Sequence, residues 1–79
     1  MRNLEWYDGY EDDYYGFSAE GDFGLVVVGT IQRMDSGDWV ATVRSVRGEN
    51  EPDVMNFGPF PTRTQVQERA VAYASGLLA

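Results

Sequence analysis

The stretch from Leu25 to Val46 constrains the fold of this chain more than any other. Two runs rich in β-branched residues, Leu25 to Met34 and Trp39 to Val46, flank Asp35-Ser36-Gly37-Asp38. That pattern is a β-hairpin signal. With Asp35, Ser36 and Gly37 as a three-residue loop, Gly37 takes the left-handed position of a bulged turn, which glycine adopts without steric cost. Leu25, Val27, Gly29 and Ile31 then share a face with Trp39, Ala41 and Val43. Thr30, Gln32, Thr42 and Arg44 take the opposite face with some valines. A two-residue turn at Ser36-Gly37 would shift the pairing by one residue and mix the apolar sets, so the bulged loop is expected.

Further strands flank this hairpin. Tyr14-Tyr15-Gly16-Phe17-Ser18-Ala19 reads as a first strand, turned by Glu20-Gly21-Asp22. A three-residue turn sets Tyr15, Phe17 and Ala19 beside Val27, Leu25 and Phe23; a two-residue turn puts them on the other face. Gly48 to Asp53 is polar, with Gly and Pro, and reads as a loop. Val54 to Phe60 is a short strand with Met55 and Phe57 on one side, and Pro59 marks its end or a sheet edge.

The period then changes from two to 3.6. Val66, Ala70, Tyr73, Ala74 and Leu77 recur at helical spacing and form one face. Thr62-x-x-Gln65 is a capping box, with Thr64-x-x-Gln67 as a second candidate. Gly76 either ends this helix or is tolerated in its last turn. Trp39 is expected to be buried against the helix, with the small Ala70 and Ala74 allowing close approach.

The expected fold is α+β: an antiparallel β-meander of three to four strands, packed on one face by a single C-terminal helix. It is one domain, 1–79, with an acidic and aromatic segment at 1–22, the sheet at 23–60 and the helix at 62–78. The connector Phe57 to Thr64 resembles those of many small bacterial and phage ββ(β)α domains. That resemblance implies a fold and no activity.

Elimination narrows the chemistry. The chain has no His and no Cys, and it also lacks Lys. There is no imidazole base, no thiol nucleophile and no Schiff-base amine. Neither a usual zinc site nor a phosphate-binding lysine loop can be built. Starting at Asp8, an EF-hand loop would place Tyr10 and Ala19 where it requires acids, and Asp13 where it requires Gly. The expectation is a non-enzyme with no cofactor and no metal. Without Cys, stability must come from packing. The sequence shows no signal peptide and no apolar run long enough to span a membrane, so a cytoplasmic protein is expected.

Charge carries the functional hint. The net charge is −7. In residues 1–22, Glu5, Asp8, Glu11, Asp12, Asp13, Glu20 and Asp22 stand against Arg2 alone, whereas the remainder is nearly neutral. Arg33, Arg44, Arg47, Arg63 and Arg69 are too scattered for a nucleic-acid footprint, and the overall field repels phosphate. A basic, Arg/Lys-rich partner is therefore expected. Trp6, Tyr7, Tyr10, Tyr14 and Tyr15 interleave the acids and supply rigid contact area at low entropic cost. Along an extended strand, Glu11 and Asp13 would point the same way about 6–7 Å apart, a spacing that imitates nucleic-acid phosphates.

In size, acidity and absence of catalytic residues, with Glu5 to Asp22 as its acidic stretch, the chain resembles the small phage-encoded inhibitors of host defence, the anti-CRISPR and anti-restriction DNA mimics. The resemblance implies an inhibitor that occupies the nucleic-acid channel of a CRISPR effector or nuclease in the host cytoplasm. Two other readings stay open: an adaptor that docks a basic protein, and a solvated face whose aromatics pack on the sheet.

Overall fold

The computed structural model describes residues 4–8 and 13–79. Its strands are β1 (Glu5–Asp8), β2 (Tyr14–Glu20), β3 (Leu25–Arg33), β4 (Trp39–Arg47) and β5 (Asp53–Phe60), followed by helix α1 (Arg63–Leu78). The strands pair antiparallel in chain order and form a single five-stranded sheet. Short connections make this order natural, because each strand pairs with the one before it. The meander and its covering helix are as expected, but the sheet has five strands. The acidic and aromatic segment supplies the extra one: β1 pairs with β2, Trp6 opposite Phe17.

The central hairpin closes as its sequence predicts. Met34 N donates to Asp38 O at 2.7 Å, Gly37 N donates to Met34 O at 2.9 Å, and Gly37 has φ 95°. Ile31 pairs with Ala41 and Gly29 with Val43, which keeps the apolar set on one face. The β2–β3 register, open between two turn lengths in the sequence, is that of neither. Ala19 pairs with Val27, Phe17 with Gly29 and Tyr15 with Ile31. The cause is a longer turn, in which Asp22–Gly24 winds into a 3-10 turn before β3 begins. The shift is an even number of residues, so the faces are preserved.

Pro59 lies on an edge strand, as expected, but does not end it. The strand continues through Pro59 to Phe60. The β4–β5 ladder shifts register between Trp39 and Ala41. There Gly58 has φ 99° and the Gly58–Pro59 peptide is cis. An edge strand with a bulge tolerates a residue that lacks a backbone donor.

The core lies between the sheet and α1. Phe17, Val27, Ile31, Val43, Val66, Ala70 and Ala74 are all buried there. Phe17 is its largest fully buried side chain. Trp39 is only half-buried, on the helix face, with its ring 6.3 Å from that of Tyr15. Phe17 reaches the centre because Gly29, directly opposite, leaves room for its ring. Thr62 caps α1: its Oγ1 accepts from Gln65 N at 3.3 Å and donates to Gln65 Oε1 at 3.1 Å. Gly76 sits inside the last turn, and the helix runs on to Leu78. Among the described residues, no helix is long and apolar enough to cross a membrane.

Candidate functional site at the acidic hairpin end

The sheet distributes the expected contact residues over two faces and two ends. Glu5, Tyr7, Tyr14 and Glu20 belong to the face away from α1, in register with Ser18, Gly16, Gln32 and Val26. The Tyr7 ring lies over Gly16. Trp6 and Tyr15 belong to the helix face. Trp6 is 44 % exposed yet packs 5.1 Å from Phe17, and it borders a groove with Gln67, Glu68, Val71 and Ala72 of α1. Tyr15 lies between Trp39 and Arg63, whose guanidinium sits 3.5 Å over the Tyr15 ring. Gln67 Oε1 accepts from Arg63 Nε at 3.1 Å and holds it there. Trp6 and Tyr15 thus support the fold.

Asp13 stands in a turn and pairs with Arg33 at 3.8 Å, both side chains about half exposed. Asp8 pairs through its backbone with Tyr15. Tyr10, Glu11 and Asp12 lie outside the described residues.

A different grouping emerges where two hairpins end together. In an antiparallel meander, alternate turns fall on the same end of the sheet, so the β2–β3 and β4–β5 connections are neighbours. Gly48 N donates to Gly24 O at 3.5 Å and joins them. This brings Glu20 and Asp22 to the same end as Glu49, Glu51 and Asp53, all exposed. Among the described residues, Arg47 is a basic residue at this end. A shallow depression here is bordered by Arg47, Asn50, Glu51 and Asp53, with Leu25 and Leu77 at its base. Helix α1 ends on the same side: a side chain at Gly21 would meet Leu78 at 3.2 Å. No basic residue stands in the last turn of α1, so its terminal carbonyls add partial negative charge.

Phe23 projects from this end. It is 88 % exposed, in a chain that otherwise buries or half-buries its phenylalanines. Its backbone sits at φ 60°, ψ 36°, the left-handed region. A bulky non-glycine residue there is strained, and such strain clusters at functional sites. Sequence reading missed this grouping because Glu49, Glu51 and Asp53 are some thirty positions from Glu20 and read as an ordinary polar loop. A phenylalanine set between Gly21-Asp22 and Gly24 was the available signal.

Chemically, this end can attract cations and offer one aromatic ring. Among the described residues, no group of three or more His, Cys, Asp or Glu is arranged to hold a metal ion. No known protein family, curated protein or solved structure matches this chain.

Proposed function

We propose that this chain is a non-enzymatic binding protein whose acidic hairpin end docks the basic, nucleic-acid-binding groove of another protein and keeps nucleic acid out of it. The observation that supports this most is that Glu20, Asp22, Glu49, Glu51 and Asp53 all stand exposed at the end of the sheet that also carries the exposed Phe23. Carboxylates on short, hydrogen-bonded turns hold their positions, so little ordering entropy is lost when a basic surface meets them. They steer association, while an inserted ring slows dissociation. The resemblance to phage inhibitors of host defence makes CRISPR effectors and nucleases the first partners to try.

The test uses an immobilised effector, with and without its nucleic acid. The parent chain is expected to bind and to be displaced by DNA or RNA. The neutralised set Glu49→Gln, Glu51→Gln, Asp53→Asn should slow association at low salt, with the difference shrinking at high salt. Phe23→Gly should raise thermal stability by relieving the strained backbone, and should speed dissociation. Unchanged binding in the neutralised set at both salt concentrations would sink the proposal. Binding that persists while nucleic acid stays bound would replace the decoy with an adaptor.

A further inference from the structure

We propose that the sheet face not covered by α1 is a homodimer interface, in which two copies stack sheet on sheet about a two-fold axis parallel to the strands, between β2 and β3. This proposal does not depend on the acidic end having a partner.

The first observation is composition. An antiparallel sheet with one solvated face normally alternates apolar-in with polar or charged-out. Here the outward positions of β3 and β4 include Val26, Val28, Val40 and Val46, and Val54 of β5 is half exposed on the same face. On β2 to β5 the charged residues of this face are Glu20 and Arg44, in a chain that is 24 % charged. Depletion of charge with aromatic and aliphatic groups retained is the composition of an interface core. The chain's other acids lie mainly at the sheet ends, where stacking leaves them in solvent.

The second observation is register, and it selects the occupant. One row across the sheet reads Glu5, Ser18, Val28, Arg44, Val54 from β1 to β5. Glu5 and Arg44 are three strands apart, about 14 Å at ordinary strand spacing. Rotation about the stated axis keeps rows aligned and exchanges β1 with β4 and β2 with β3. Each Glu5 then faces the second copy's Arg44, and each Ser18 faces the second copy's Val28. A patch that carries its own complement about a two-fold axis fits a second copy of this chain. A generally basic partner would meet Arg44 as a like charge.

Size is adequate. The four overlapping strands, β1 of four residues and β2 to β4 of seven to nine, cover enough sheet for roughly 1,000 Å² of buried surface in all, the lower end for a specific interface. A weak, concentration-dependent dimer is therefore the expected form. Because the axis runs along the strands, both acidic hairpin ends point the same way and stand side by side.

Sedimentation equilibrium across micromolar to millimolar chain decides the matter. The parent is expected to be a concentration-dependent dimer. Glu5→Arg and Arg44→Glu should each weaken it by about tenfold or more, and the double exchange should restore it to within about threefold. The two single variants move the net charge in opposite directions, so a general charge effect would strengthen one and weaken the other. Val28→Glu should abolish the dimer while leaving the far-ultraviolet circular dichroism of the fold unchanged. A parent that stays monomeric throughout overturns the proposal. So does a dimer indifferent to the single exchanges, or a double exchange that fails to rescue.

Discussion

Gly29 is small because Phe17 needs its space. The two are cross-strand partners, and the Phe17 ring occupies the position that a Cβ on Gly29 would take. Glycine inside a strand is entropically costly and offers nothing to pack. Here that cost is offset by seating the largest fully buried side chain of the core. Gly29→Ala is therefore expected to destabilise by about 1–3 kcal/mol, as overpacking does. Adding Phe17→Leu to Gly29→Ala should cost less than the two changes made separately, since each relieves the other. Urea unfolding of the two single variants and the double variant measures this coupling, and simple additivity would refute it.

At the scale of elements, α1 shows how a short motif sets a boundary. Thr62 lies in extended backbone and Gln65 answers it: the two side chains bond each other, and Thr62 Oγ1 accepts from the Gln65 backbone N–H. The apolar stripe then presents Val66, Ala70 and Ala74 to the sheet, with Tyr73 packing 5.7 Å from Phe57 of β5. Thr62→Ala removes the cap and should cost about 1 kcal/mol, while Thr62→Ser should retain most of it. For a domain of this size that is a fall of about 4–8 °C in Tm for the alanine variant. Equal melting of the alanine and serine variants would show that packing alone starts the helix at Arg63.

Across the whole molecule, charge is concentrated at the ends of the sheet rather than on its faces. Glu20, Asp22, Glu49, Glu51 and Asp53 share one end, and the C-terminal turn of α1 adds to their field. Like charges gathered at one end oppose folding to the extent that salt or other charges do not screen them. Glu49→Gln, Glu51→Gln and Asp53→Asn together should raise Tm by about 2 °C at low ionic strength. The gain should vanish at high salt, where the Debye length falls to about 3 Å. Melting curves at two salt concentrations check both halves of the expectation. A gain that persists in high salt would locate the effect in hydrogen bonding instead.

Local pattern was enough for much of this molecule. Alternation with a Gly37 turn determined the central hairpin and its faces, because a bulged loop is the register that keeps Leu25, Val27 and Ile31 with Ala41 and Val43. Periodicity and a capping box determined α1. The lack of His, Cys and Lys by itself bounds the chemistry. Tertiary structure decided what depends on distant residues meeting. It drew Glu5–Asp8 into the sheet as β1, a strand that local pattern did not mark, because pairing with β2 satisfies its backbone and gives Trp6 a place on Phe17. It put Phe17 rather than Trp39 at the centre, since the room a ring finds depends on the residue across the ladder. Most of all it decided which acids stand together. Glu20 and Asp22 join Glu49, Glu51 and Asp53 because alternate turns of a meander share an end, a relation that spacing along the chain does not carry.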